Sequence, residues 1–140
     1  MTTDEHTGME ILDQDECWRL LESEQFGRLA VSVGGRPDIF PLNYVVHESS
    51  IFVRTAEGSK LVSLAINQAA AFEIDGYDEA TNEAWSVVLH GAARMIEHGP
   101  LEEIAETLPL FTWNTAPKHR FVQVQPHSVS GRRFVAEGRH

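Results

Sequence analysis

The sequence predicts a mainly β domain that closes into a small barrel and carries two or three short helices. Apolar, β-branched runs of strand length recur along the 140 residues and are separated by short turn signals. These runs follow one another as hairpins, without the strand–helix–strand alternation of a parallel α/β fold. A closed barrel of six or seven antiparallel strands would also remove exposed sheet edges. The length suits one domain, and we expect a flexible arm over residues 1–10 and a single domain over 11–140.

The first helix is predicted to begin beside Asp13. This residue suits the N-cap position, and Glu16 follows three residues later, as in a capping box. The next apolar side chains recur at helical spacing and predict one buried face, made by Cys17, Leu20 and Leu21. Gly27 is expected to end this element.

Three strands are predicted after the helix. Residues 27–33 form a β-branched run that stops at Gly34-Gly35, a pair typical of a hairpin turn. Residues 37–46 follow as one long strand, in which Pro41 indicates an edge position or a bulge. After a short polar turn, residues 51–55 are expected to complete an antiparallel meander.

The middle of the chain changes character at Ala56-Glu57-Gly58. Ser59 is a suitable cap for a short helix over residues 60–67. A short strand is predicted over 70–74, and the polar, glycine-containing stretch 75–84 is expected to be a loop.

The last third of the chain returns to strands. Residues 85–96 predict a long strand, in which Gly91 marks a bulge or a bend. Pro100 suits the first turn of a further helix. The remaining expectations are an irregular stretch over 108–117 and strands over 120–124 and 133–135.

Charge and composition exclude several classes of protein. The chain has 11 Lys and Arg against 21 Asp and Glu, a net charge of −10, which is too few cations for a nucleic-acid face or for an anionic membrane surface. No apolar run approaches the roughly 20 residues of a membrane helix. The polar, acidic start does not resemble a secretory signal, and a single cysteine cannot form an intrachain disulfide. A cytoplasmic protein is the simplest interpretation.

Metal and nucleophile signals are weak. The seven histidines include no pair four residues apart on a predicted helix, so no metal site is expected. Cys17 lies on the apolar face of the first helix, where a cysteine is usually a small core side chain. The chain also lacks a Gly-x-Ser-x-Gly sequence, and we name no catalytic residue.

The stretch 54–60 is the best candidate for binding an anion. It joins a strand end to a predicted helix start and contains two cations and two hydroxyl groups, at Arg54, Lys60, Thr55 and Ser59. Arginine grips a phosphate with two hydrogen bonds, and the amides of a first helical turn also favour an anion. The alternative is an ordinary polar turn before a capped helix.

Two tryptophans form a second signal. Trp85 opens a predicted strand after a polar stretch, and Trp113 lies in an irregular segment. Tryptophan often lines ligand pockets or interfaces, although both residues are also compatible with packing in the core.

Six segments, taken in order, resemble the pyridoxamine 5′-phosphate oxidase-like flavin-binding proteins, and most closely their nitroimidazole-resistance-type subgroup. The resemblance extends over about residues 11–135. The segments that carry it are 27–31, 37–44, 52–61, 72–76, 85–93 and 130–133.

This resemblance implies a split β-barrel that forms homodimers and holds FMN between the two subunits. Four residues would bind the FMN phosphate by resemblance: Arg54, Thr55, Ser59 and Lys60, with Leu61 beside them. The strand Pro41-Leu42-Asn43-Tyr44-Val45 would lie along the isoalloxazine ring, with Asn43, Tyr44 and Val45 as its cofactor-binding residues. Trp85 and Ser86 would reach the flavin from the partner subunit, and Trp113 would cover the ring or the substrate side.

The function that follows is a flavin-dependent oxidoreductase acting on a small molecule. The stretch with which the full oxidase grips its phosphorylated substrate is not matched by Arg132, Arg133 or His140, so pyridoxamine phosphate is not the expected substrate. The alternatives are a non-catalytic flavin-binding or storage module and a deazaflavin-dependent reductase.

Overall fold

The computed structural model describes residues 2–3, 9–56, 68–96, 99–110 and 119–135. In these residues every strand pairing is antiparallel. The elements in chain order are β1 (Thr2–Thr3), β2 (Glu10–Ile11), α1 (Gln14–Ser23), β3 (Phe26–Val33), β4 (Arg36–Asn43), β5 (Val45–His47), β6 (Ser50–Ala56), β7 (Gln68–Asp78), β8 (Glu83–Met95), α2 (Pro100–Thr107) and β9 (His119–Val135).

The strands form one curled sheet around β9. The main path runs β1-β2-β9-β8-β7-β3-β4, while β6 pairs with β9 and β5 pairs with β6. Val122 and Val124 of β9 have partners on both sides, in β6 and in β8. Because β9 joins the two parts, the sheet bends into a half-barrel, and the predicted split-barrel class is confirmed. The described sheet has nine strands instead of six or seven, and its main path ends at β1 and β4 instead of closing. The division into an arm and a domain stays a prediction.

Two apolar clusters lie on opposite sides of this sheet. The larger fills the barrel and includes the predicted face of α1, at Cys17, Leu20 and Leu21. A Cβ atom added at Gly131 would lie 2.7 Å from the Cys17 sulfur, so α1 packs directly on β9. The smaller cluster joins α2 to Phe52 and Phe121 on the outer face of β6 and β9.

The start of α1 is as predicted, but its end is not. The Asp13 carboxylate accepts a hydrogen bond of 2.8 Å from the Glu16 amide and caps the helix. The capping box is incomplete, because the Glu16 carboxylate instead accepts from Arg19 and Arg133. The helix ends at Ser23 rather than at Gly27, since the residues after its last buried leucine are polar and Glu24 is extended.

The predicted long strand over 37–46 is broken at Tyr44 into β4 and β5. The Gln25 carbonyl accepts hydrogen bonds from the Tyr44 amide and the Asn43 side chain, both at 3.0 Å, and so turns the chain towards α1. The continuous meander is therefore wrong: β4 pairs with β3, and β5 pairs with β6. The Gly34-Gly35 hairpin and the edge position of Pro41 are confirmed for the described strands.

The predicted loop over 75–84 is also wrong, and the predicted short strand over 70–74 is too short. Strand β7 continues to Asp78, and β8 begins at Glu83. The polar residues that suggested a loop lie on an exposed sheet face, where Glu73 and Asp75 form ion pairs with Arg28. Gly76 remains in the strand because the Trp85 ring covers it.

Strand β9 replaces the two short strands predicted at the end of the chain. It is continuous over 17 residues, with a register shift opposite His90 and Gly91. The irregularity predicted at Gly91 is confirmed, but the extra residue is His127 of β9, opposite it; the Gln125 carbonyl leaves no space at Gly91 for a side chain. The predicted helix over 60–67 lies outside the described residues. Neither described helix is long and apolar enough to cross a membrane.

Candidate functional site

A cavity of about 520 Å³ lies between the end of α1, the break between β4 and β5, and the segment after α2. Its volume is in the range of small-molecule sites, about 300–1,000 Å³. Its lining residues are Leu21, Glu22, Glu24, Gln25, Asn43, Tyr44, Val45, Val46 and Pro109. The structure therefore brings the three residues predicted to lie along the flavin ring, Asn43, Tyr44 and Val45, to one cavity.

Hydrogen bonds hold the cavity wall in place. The buried Tyr44 hydroxyl donates to the Leu21 carbonyl at 2.5 Å, and its ring meets Phe72 edge-on with 4.8 Å between centroids. Burial, and to a smaller extent the charge of Glu24, raises the pKa of Tyr44 above its ordinary value. The phenol is thus neutral at physiological pH and serves as an anchor, not as an acid or base.

Val45 connects the cavity with Arg54. Val45 pairs with Phe52, and Arg54 lies two residues further along β6 on the same face. A rise of about 3.4 Å per residue and a spacing of about 4.8 Å between strands put the Cα atoms of Val45 and Arg54 about 8 Å apart. The best anion-binding candidate therefore lies on the same sheet face as Val45, one of the residues that line the cavity.

Arg54 is half-buried and has a donor without a partner. Its guanidinium lies 5.6 Å from the centre of the Phe121 ring. Its Nε atom is buried and makes no hydrogen bond. An unpaired buried donor is costly, and a phosphate oxygen is a strong partner for it. The residues present thus fit a phosphate-bearing ligand at Arg54.

Thr55, which was predicted to bind the same phosphate, points the other way. Neighbouring strand residues face opposite sides of a sheet, so Thr55 lies with Val53 on the inner face. Its side chain is buried. The strand separates Arg54 and Thr55, which the sequence had placed in one group.

Trp85 and Ser86 are separated in the same manner. A Cβ atom added at Gly76 would lie 2.6 Å from the Trp85 ring, and Trp85 packs against the barrel core. Ser86 is half-buried on the outer face, between Asp75 and Arg132 of the neighbouring strands. Within the described chain, Trp85 is a partly buried core residue.

Four predicted site residues lie outside the described residues: Ser59, Lys60, Leu61 and Trp113. Cys17 is fully buried, and burial raises the pKa of its thiol, as expected for a core side chain. Among the described residues, no group of three or more His, Cys, Asp or Glu is placed to hold a metal ion.

Sequence reasoning did not identify the residues that α1 and the segment after α2 contribute to the cavity. These are Glu22, Glu24, Gln25 and Pro109. The polar residues that follow Leu21 were the available signal. Such residues end the apolar face of a helix, so their own side chains remain accessible to a ligand.

A family model and a relative from the curated proteins both match most of the chain. The family model described as pyridoxamine 5′-phosphate oxidase matches residues 13–133. An uncharacterised protein of Mycobacterium tuberculosis is 33% identical over 135 residues, covering 91% of this chain and 87% of that protein.

Solved structures share the fold. The FAD-binding protein of Mycobacterium smegmatis has a TM-score of 0.78 and is 40% identical, covering 90% of this chain and 98% of that one. A candidate 5-nitroimidazole antibiotic resistance protein of Bacteroides thetaiotaomicron has a TM-score of 0.61. It is 13% identical and covers 91% of this chain and 90% of its own, so this likeness concerns the fold alone.

Proposed function

The chain belongs to the pyridoxamine 5′-phosphate oxidase family, and we propose that it binds FMN and uses it in redox chemistry on a small molecule. One observation carries the proposal. The segment Asn43–Val45 lines the cavity, and Arg54, with its unpaired buried Nε, lies on the same sheet face as Val45, about 8 Å from it. The cavity would hold the ring and Arg54 the phosphate. Phe52, which lies between Val45 and Arg54, is buried against α2, so the ribityl chain would pass around this cluster and not along the sheet face.

The flavin would supply the hydride or electron transfer itself. The protein's contribution is to hold and orient it: the backbone around Tyr44 would support the ring, and Arg54 would bind the phosphate. The apolar lining at Leu21, Val45 and Pro109 would limit the access of water. No described side chain in the cavity is an evident proton donor to a substrate, so chemistry would depend on the flavin.

FAD is the second candidate for the cofactor, because the 40% identical protein of Mycobacterium smegmatis binds FAD. FMN and FAD share the ring, the ribityl chain and the first phosphate. Mass spectrometry of the small molecule that co-purifies with the protein would identify which one is bound. A protein that purifies without a flavin, and that takes up neither FMN nor FAD, would refute the proposal.

The two alternative functions predicted from the sequence need separate tests. Turnover of a nicotinamide donor by the flavin-loaded protein would distinguish an oxidoreductase from a flavin-storage module. Tight binding of a deazaflavin in place of FMN and FAD would favour a deazaflavin-dependent reductase.

We also propose that the functional unit is a homodimer with two shared sites. The outer face of the sheet supports the dimer. It carries Ser86, which the resemblance places against the partner's flavin, and it exposes Ile39, which is 67% accessible. In a two-fold dimer the same patch is used twice, so two equivalent sites would form.

Subunit exchange tests the shared site. An Arg54→Ala protein and a Ser86→Glu protein would each bind flavin weakly, and their mixed dimer would regain one intact site. Ser128→Glu, on the same exposed face, is the matched control and should bind normally. Verified mixed dimers without any tight site would show that each site lies within one subunit.

A further inference from the structure

The charge of the cavity lining indicates which substrates the site accepts, an inference that rests on the proposed function. Glu22 and Glu24 line the cavity at the end of α1. The last turn of α1 has no basic residue, and a helix C-terminus adds partial negative charge. Among the described residues of the lining, none is Lys or Arg. This end of the cavity is therefore electronegative.

The wall opposite α1 does not offset this charge. Tyr44 is buried and neutral, and the Glu24 charge extends to it, since it contributes to the raised pKa of that phenol. Val45, Val46 and Pro109 are apolar. Of the described lining, a molecule that enters beside the flavin ring would meet two carboxylates and neutral surfaces.

Among the described residues, the positive charge assigned to the cofactor lies on a different element. Arg54 is on β6, about 8 Å from Val45, where it would bind the cofactor phosphate. The site thus has a cationic end for the cofactor and an anionic end at α1. The net charge of −10 adds a general repulsion of anions.

We propose that the molecule that exchanges electrons with the flavin through this cavity is neutral or cationic, and that Glu22 and Glu24 exclude phosphorylated and other anionic substrates. Both carboxylates are specificity determinants in this proposal and take no part in the chemistry.

The potential in the cavity can be measured without a flavin. Val46 is half-buried in β5 and lines the cavity, so a Val46→Cys variant places a thiol inside it. Two methanethiosulfonate reagents would be compared, one carrying a trimethylammonium group and one a sulfonate, each normalised to free cysteine. The unsubstituted protein is the blank, because Cys17 is fully buried.

We expect the cationic reagent to react with Val46→Cys on the order of tenfold faster than the anionic one after normalisation. Adding Glu22→Gln and Glu24→Gln should remove most of this preference and leave only the smaller part that the remaining net charge causes. The matched control removes the same two charges at exposed positions away from the cavity, with Asp15→Asn and Glu79→Gln, and should retain most of the preference. A preference for the anion, or an equal loss in the control, would overturn the proposal.

A second measurement connects the charge to electron transfer. The flavin-loaded protein would be reduced and mixed with hexaammineruthenium(III) or with ferricyanide, each of which accepts one electron, so two ions oxidise one reduced flavin. The rate ratio of the cation to the anion should fall several-fold with Glu22→Gln and Glu24→Gln, and an unchanged ratio would contradict the proposal. A protein that binds no flavin would refute the proposed function, while the thiol ratio would still decide whether the cavity excludes anions.

Discussion

Replacing Arg54 by methionine should separate flavin affinity from stability. Methionine retains much of the apolar stem that lies over Phe121 but removes the guanidinium. A hydrogen bond to a charged group contributes about 1.5–3 kcal/mol, which corresponds to roughly 10- to 150-fold in affinity for FMN. Riboflavin lacks the phosphate, so its dissociation constant should not change.

The same substitution should lower the affinity for FMN without lowering the stability of the ligand-free protein. The Nε atom of Arg54 is buried without a partner, which costs about 1–3 kcal/mol, and removing it relieves that cost. The lost cation–π contact is about 0.5–1 kcal/mol, so the variant should be between unchanged and about 2 kcal/mol more stable.

Isothermal titration with FMN and riboflavin, together with urea unfolding of the apoprotein, measures both effects. Arg36→Met, an exposed position on β4, removes the same charge and is the matched control. Equal losses of FMN and riboflavin affinity would place the phosphate elsewhere. A clear loss of stability in Arg54→Met would show that the guanidinium serves the fold.

Three further predictions concern the framework of the site. Tyr44→Phe leaves the Leu21 carbonyl without its buried donor and should lower the free energy of unfolding in urea by about 1–3 kcal/mol. The control Tyr77→Phe removes an exposed hydroxyl that is bonded to Asn82 and should cost less. Equal costs would contradict the anchoring role of Tyr44. Hydrogen bonds from Arg19, assisted by Arg133, lower the pKa of Glu16 to about 2, so its contribution to stability is complete above about pH 4.5 and disappears as the pH falls towards 2. An acid titration of Glu16→Gln should lack this part of the decline, and identical profiles would refute it. Gly91→Ala places a Cβ atom 2.0 Å from the Gln125 carbonyl oxygen and should destabilise the protein by about 1–3 kcal/mol in thermal unfolding, while a neutral result would mean that the bulge relaxes freely.

Local signals were sufficient for elements whose cause lies within a few residues. Asp13 caps a helix that begins at the next residue, and the Gly34-Gly35 pair supplies the two positive φ angles that the hairpin requires. The bulge at Gly91 was also visible, because a glycine in a long strand marks a close approach of the backbone. The fold class followed from these hairpins.

Features that depend on distant partners were not predictable in this way. The break at Tyr44 depends on the Gln25 carbonyl, and its side chain is anchored 23 residues earlier at Leu21. The segment around Asp75 was predicted to be a loop because it is polar. It is a strand because Asp75 forms an ion pair with Arg28 of another strand, a contact that the local sequence does not show. The acidic part of the cavity was missed because Glu22 and Glu24 gain their role only where the chain after Asn43 turns towards α1.

The alternation of strand side chains places neighbouring residues of the predicted cofactor site on opposite faces of the sheet. Arg54 and Thr55 are neighbours in the chain but face opposite sides of β6, as Trp85 and Ser86 do on β8. Arg54, unlike Thr55, shares its face with Val45, so the proposed cofactor would point its phosphate towards β6 and its ring towards the end of α1. In that orientation Glu24 lies on the side of the ring away from the phosphate. The same geometry that binds an anionic cofactor would then keep anionic substrates out, and reversing the charge of Glu24 should change substrate preference without weakening the FMN phosphate contact.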